Sequence, residues 1–331
     1  LSFFLVFYLN ENSAGMGNYA ADSDWIKENI KIFLDNNLKD AVLHPDLFGN
    51  RTPLIYVLNK IFNPFFGNFE TYRASVFVIS IFGPIFFYYL LKLRFNFVDK
   101  KILFLVSSFI YLSPYYRTSA YWGLNENYSI VSTILTFLFF QNYLLNKKNK
   151  NLFLLLSILF SSITVYFDLK FLIVPLICII KFITINKNFK KIFLIFFAYF
   201  LLALPYFYLI YKWEGIVPKA TQLANPKSIT STTDLNNLYL IHVGYAATLI
   251  SFYLLPAILF IEKNVNLKTK EIFSIKINYI LLLLITIYIL CNLLFFDFKR
   301  FTVDEYWVGL GVVHKLSLFL TSNFFYQEII T

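Results

Sequence analysis

Apolar runs follow one another along this chain, at about residues 73–91, 102–116, 128–146, 152–167, 170–186, 191–211, 238–261, 277–296 and 306–325. Short charged breaks separate them. A helix needs about 20 mostly apolar residues to cross the hydrocarbon core of a bilayer, and most of these runs come close. The pattern predicts an all-α fold: a polytopic transmembrane helix bundle, one domain over 1–331, with about nine membrane segments in 73–325. His314 and Lys315 interrupt the last run near its middle, so it reads as a short or tilted span, or as a helix lining a cavity. Residues 1–9, "LSFFLVFYL", are too short to cross alone and begin on Leu rather than Met. They are expected to be the tail of a truncated first span.

Residues 10–72 then form a large first loop with helical patterns of its own. Ile26, Ile30, Phe33 and Leu34 fall at i, i+4, i+7 and i+8, one apolar stripe. Lys27, Lys31 and Asp35 fall on other faces, and Asp24 is placed to cap the helix. This is the pattern of an amphipathic helix lying at a membrane surface or on the protein's outer end. Thr52 as cap and Pro53 in the first turn predict a second loop helix. Its residues 54–66 are too few to cross.

Charge changes the picture from spans to topology. The chain is 58% hydrophobic and 15% charged, against about 25% charged in soluble domains. Its net charge of +10 would suggest nucleic acid on a soluble protein. Here the cations cluster at alternate connections: Lys92, Arg94, Lys100 and Lys101; Lys147, Lys148 and Lys150; Lys181, Lys187, Lys190 and Lys191; Lys263, Lys268, Lys270 and Lys276. That alternation follows the positive-inside rule. It places 10–72, 117–127, 168–170, 212–237 and 297–305 outside, makes the bilayer the partner and leaves no role for nucleic acid. Enrichment in Lys, Asn, Ile, Phe and Tyr points to an AT-rich, bacterial genome, and so to the inner membrane. Cys178 and Cys291 lie inside apolar runs, with no CxxC or Cys/His metal spacing.

Three stretches carry a resemblance. "NRTPLIYVLNKIF" and "FGNFETYRAS" follow the acidic "GNYAADSDWIKE", with Thr52, Pro53, Leu54, Phe66, Gly67, Arg73 and Ala74 as the matching positions. "YRTSAYWGLNENYSIVSTILTFLFF" puts Glu126 at the outer start of a span, and "SSITVYFDLKFLIVPLICII" puts Asp168 and Lys170 in a polar outer turn. Together they resemble the polytopic glycosyltransferases of the GT-C type, the dolichyl-phosphate-mannose and aminoarabinose transferase relatives. The resemblance covers roughly residues 1–210. It departs from many relatives in the single Pro53 and in an Asp-x-Asp where some have Asp-Glu.

The resemblance implies transfer of a sugar from a polyprenyl-phosphate donor to a glycan, lipid or protein acceptor, with the site on the periplasmic or extracellular side. The acceptor hydroxyl needs a general base, and Asp22 and Asp24 are the candidates. The donor phosphate needs cations, and Arg51, Arg73, Arg117 and Lys170 lie at outer ends of elements, where Arg can grip phosphate bidentately. Arg117 sits beside Tyr115, Tyr116, Tyr121 and Trp122, aromatics that suit an interfacial belt or a sugar face. Glu126 suits a sugar hydroxyl or a metal. His44 and Asp46, in "HPD", resemble a site fragment, although one His-x-Asp is a weak metal signal. A divalent cation, Mg2+ or Mn2+, stays open, with no ligands assigned. Loop 212–237 has the length of a lid or acceptor loop, and equally of a plain connector. Two other readings remain: a transporter or flippase, and a polymerase or ligase, of lipid-linked saccharides. A transporter would place ionisable groups in mid-span or break helices in related halves. Here the carboxylates gather in the outer connections.

Overall fold

A computed structural model describes residues 19–49, 52–145, 148–186 and 188–224. They belong to one of two compact units into which the chain divides. Among them all regular structure is helical. The region ahead of the first long span holds α1 (Tyr19–Asp35), α2 (Leu38–Val42) and α3 (Leu54–Phe62). Then come α4 (Phe69–Arg94), α5 (Lys100–Ser108), α6 (Pro114–Trp122), α7 (Glu126–Leu145), α8 (Lys150–Phe167), α9 (Ile173–Ile185), α10 (Phe189–Trp213) and α11 (Lys219–Ala224). Of the described helices, α4, α7, α8 and α10 are long and apolar enough to cross a membrane.

Those four match the runs at 73–91, 128–146, 152–167 and 191–211. Two other runs are not single helices. Run 102–116 is split into α5, a 3-10 turn at Phe109–Leu112, and the start of α6. The cause is local. Pro114 takes the first position of α6, where its missing N–H costs nothing, and pushes Ser113 into an extended conformation. Ser113 then caps the new helix by accepting the Tyr116 N–H. Run 170–186 begins as a 3-10 turn, Leu169–Leu172, leaving 13 residues for α9. The runs at 238–261, 277–296 and 306–325 lie outside the described residues, as do residues 1–9.

Caps fix the long helices where short polar residues precede apolar ones. Asn68 accepts the Thr71 N–H while the Thr71 hydroxyl accepts the Asn68 N–H, a reciprocal capping box for α4. Asn188 accepts the N–H groups of Lys190 and Lys191 at the start of α10. The expected caps in the first loop are corrected. α1 begins at Tyr19, so Asp24 lies in its second turn rather than at its end. Thr52 does not cap α3; its hydroxyl donates to the Tyr166 carbonyl, and Pro53 occupies the cap position. α3 also stops at Phe62, where Asn63 turns extended ahead of Pro64.

The apolar stripe of α1 lies against protein. Ile26, Ile30 and Phe33 are buried in one core with Ile55 and Tyr56 of α3 and Tyr72 and Val76 of α4. Leu34, the fourth member, is on the exposed flank, with Lys27, Lys31 and Asp35 also exposed. Within the bundle, α7 packs along α8 on one side and α4 on the other. Small residues line these contacts, among them Ser129, Ser132 and Thr136 on α7 and Ser157, Ser161 and Thr164 on α8, all buried. Small side chains let backbones approach where lipid supplies no hydrophobic drive between helices.

Pro84 sits inside α4 and has no N–H for the Ser80 carbonyl. The Tyr116 hydroxyl of α6 donates to that carbonyl at 2.7 Å. Asn127 of α7 joins the cluster, its side-chain N–H groups donating to Ser80 Oγ at 2.7 Å and to the Tyr116 carbonyl at 2.9 Å. Gly83 makes the space: a Cβ there would lie 2.1 Å from Tyr116 Oη. Substituting Gly83→Ala is expected to cost about 1–3 kcal/mol through overpacking. Tyr116→Phe is expected to cost about 1–3 kcal/mol by orphaning a buried carbonyl. The two effects share one atom, so the double variant should lose less than the sum. Equilibrium unfolding in detergent or lipid of both single variants and the double checks this, and strict additivity would refute the shared contact.

Candidate functional site

At one end of the bundle the connections expected outside come together. Trp213 of α10 donates its indole N–H to the Val42 carbonyl at 3.3 Å. Thr221 of α11 accepts the Gly49 N–H at 2.8 Å and donates to the Gly49 carbonyl at 3.2 Å. The 3-10 turn after α8 and the turn between α6 and α7 meet the same segment. Between them is a cavity of about 130 Å3, bounded by Trp25, Ile26 and Asn29 of α1, Leu47, Phe48 and Gly49, Thr52 and Pro53, Tyr56, Leu124 and Asn125, and Asp168 and Lys170.

Each polar member is held by its own local structure. Asn29 is buried on α1 and fixes the 44–49 segment across 19 residues of sequence. Its side-chain N–H groups donate to the Phe48 carbonyl at 2.6 Å and to Tyr56 Oη at 3.2 Å, and its Oδ1 accepts the Phe48 N–H at 3.1 Å. This holds the Phe48 ring beside Trp25, centroids 4.4 Å apart, as an aromatic wall. Asn125 follows Gly123, which closes α6 in a left-handed conformation (φ 74°) with its backbone against the Arg73 stem. The Tyr72 hydroxyl donates to Asn125 Oδ1, and Asn125 lines the cavity. Asp168 ends α8 in an extended conformation and is only 2% exposed. Its Oδ1 accepts the Lys170 N–H at 3.0 Å and so starts the 3-10 turn. Lys170 is exposed at the cavity edge.

Among the residues expected from sequence to form the site, Lys170 lines the cavity. Asp24 does not: it is exposed on α1, in an ion pair with Lys27 at 2.9 Å, and its neighbour Trp25 is the one that reaches the cavity. Asp22 lies on α1, but its side chain falls outside the described residues, as does Arg51. Glu126 is buried in the first turn of α7, where the helix N-terminus favours an anion, one residue past Asn125. Arg117 is 5% exposed, and its guanidinium donates to the Tyr111 and Leu112 carbonyls at 3.2 and 2.8 Å, bracing the α5–α6 bend. Arg73 pairs with Glu70 at 2.8 Å and lies over the Tyr121 ring, and Trp122 stacks edge-on against Tyr121. His44 Nδ1 accepts the Asp46 N–H at 3.2 Å, an internal turn contact, with the Asp46 carboxylate mostly exposed. No three His, Cys, Asp or Glu side chains converge among the described residues.

Comparison with family models, curated proteins and solved structures finds no match to this chain.

Sequence reasoning did not assign Asn29, Asn125 or Asp168 to the site. Asp168 carried one visible signal, an acid at the end of an 18-residue apolar helix. Asn29 carried a weaker one, a polar residue beside the buried stripe of α1. Replacing Asn29 with Leu strands both the N–H and the carbonyl of Phe48. Unfolding measurements should show a loss of about 1–3 kcal/mol, and amide exchange should rise first over 44–49. Unchanged exchange there would show that Asn29 does not hold the cavity wall.

Proposed function

We propose that this chain is a membrane glycosyltransferase of the GT-C type, acting on the extracytoplasmic face of a bacterial inner membrane with a polyprenyl-phosphate sugar as donor. One observation carries the reading: a buried carboxylate, an ammonium, a side-chain amide and an aromatic wall surround one small cavity at the end of an apolar helix bundle. That is the chemistry a sugar phosphate calls for. Aromatic faces suit the apolar face of a pyranose, the Asn125 amide suits its hydroxyls, and Lys170 suits the phosphate. The cavity, about 130 Å3, is well below the roughly 300–1,000 Å3 of sites that enclose drug-sized ligands. It takes a monosaccharide's reacting part and leaves the polyprenyl chain in the bilayer.

In this reading the base is Asp168 rather than Asp24. The acceptor O–H gives its proton to the Asp168 carboxylate. Its oxygen bonds to the anomeric carbon as the bond from that carbon to phosphate oxygen breaks, and the phosphate leaves with the electron pair on its lipid. Lys170 sits where the new phosphate charge appears. Glu126 and a divalent cation have no assigned step.

Asp168→Asn tests the base while the amide oxygen can still accept the Lys170 N–H at the start of the turn. Transfer from polyprenyl-phosphate sugars in membranes should fall about 10²–10⁴-fold in kcat, with KM nearly unchanged. Lys170→Ala should lower kcat/KM about tenfold or more, and Asp24→Asn should act like the parent chain. Full activity in Asp168→Asn would refute the base. Movement of lipid-linked saccharide across vesicles without transfer would favour the transporter reading instead.

A further inference from the structure

The first-loop helices hide most of their apolar side chains from solvent, with one concentrated exception. The stripes of α1 and α3 face each other and the head of α4. Yet Ile61 is half exposed, and Phe62 and Phe65 are 74% and 75% exposed, on consecutive surface at the tip of α3. Lys60 shows why this face is left over. Its ammonium donates to the Phe33 and Asn36 carbonyls at the C-terminus of α1, where a cation is favoured. The polar side of α3 is thus committed to α1, and the next residues of the helix turn away from it.

The depth of this tip follows from α4, which starts four residues after Phe65. At about 1.5 Å per residue its 26 residues run about 39 Å, more than the roughly 30 Å hydrocarbon core. Its apolar stretch begins at Ala74, and Glu70 and Arg73 precede it as an ion pair. The first turns of α4 therefore fall at headgroup level in a membrane-spanning arrangement, and Phe65 precedes them by only four residues.

We propose that Ile61, Phe62 and Phe65 are an interfacial anchor, inserted into the headgroup–acyl boundary of the same bilayer that α4 crosses. The occupant of this surface is phospholipid. Such a boundary takes in the apolar side of a short helix to a depth of about 5–10 Å, with its polar residues left outward, here Asn63 and Asn68. The anchor holds α3, and through Lys60 the α1 wall of the cavity, at one height above the membrane. It rests on the membrane reading alone and not on sugar transfer.

Nitroxide labels at Phe65→Cys and, separately, Phe62→Cys test this in the full chain in phosphatidylcholine–phosphatidylglycerol vesicles, with Cys178→Ala and Cys291→Ala as background. Labels at Phe197, on the exposed apolar face of α10, and at Asp35 are the lipid and water references. The ratio of oxygen to nickel-complex accessibility at 62 and 65 should exceed that at 35 severalfold and approach that at 197. A ratio equal to that at 35 overturns the anchor. So does a label closed to both reagents, which would mean that other parts of the chain cover the tip, and so does spin–spin broadening, which would mean a second copy. Should the cysteine-free background fail to fold, Phe65→Trp in the native chain gives the same answer. Brominated lipids should quench the added tryptophan fluorescence, and absence of added quenching overturns the proposal.

Discussion

Inside a bilayer a backbone carbonyl that loses its helical partner has no water to take its place. Among the described residues proline removes such a partner inside α4 at Pro84 and inside α10 at Pro205; a tyrosine from a neighbouring helix takes up the carbonyl freed at Pro84, and another enters α10 one residue beyond Pro205. Tyr116 donates to Ser80, the carbonyl that residue 84 would have served. Next to Pro205, Tyr166 of α8 donates to the Leu202 carbonyl at 2.6 Å and accepts the Tyr206 N–H at 3.2 Å, inserting its hydroxyl into the ladder of α10. Each kink is thereby tied to one particular neighbour, so the bends that proline imposes become fixed crossings. The second tie leads to the cavity. The Tyr166 carbonyl accepts the Thr52 hydroxyl, and Asp168 stands two residues further on. Tyr166 thus ties the end of α8, with its acid, to both α10 and the first loop.

What the sequence disclosed followed from how local each signal was. Length and apolarity were enough for α4, α7, α8 and α10, because a membrane helix satisfies its backbone within itself. The stripe Ile26, Ile30, Phe33 was also legible, though not what it faces. Helix starts were read less well. Asp24 is a good capping residue in a poor position, since α1 was already under way at Tyr19. Thr52 is a good cap drawn off by a carbonyl more than a hundred residues away. Run 102–116 looked continuous because hydropathy averages over Ser113 and Pro114, which backbone geometry does not.

The site was less legible than the fold for a physical reason. Asn29, Asn125 and Asp168 are far apart in sequence, and each is individually unremarkable in composition. They matter because the fold brings them to the wall of one cavity. Charged side chains drew attention instead, and several of those are engaged elsewhere: Arg117 with the carbonyls of the 3-10 turn, Arg73 with Glu70, Asp24 with Lys27. Counting charges locates the polar end of a bundle, whereas burial separates surface acids such as Asp24 and Glu70 from the enclosed ones, Glu126 and Asp168.

The interior of the bundle argues for chemistry at its end rather than along its length. Residues 74–91, 127–145, 151–167 and 192–211 contain no Asp, Glu, Lys, Arg or His. The hydroxyls they do contain largely turn back on their own helices: Thr136 to Ser132, Ser161 to Ile158, Thr164 to Phe160. Such back-bonds satisfy the hydroxyl locally and offer little to a polar solute passing through. A path for an ion or a saccharide needs ionisable or broken segments at mid-depth; among the described spans the break at Pro84 is closed by Tyr116. The acid, the ammonium and the amides lie instead where α8, the α6–α7 turn and the first-loop helices converge. In the described region the polar side chains that line the cavity are thus gathered at one end of the bundle, and those four stretches carry no charged side chain.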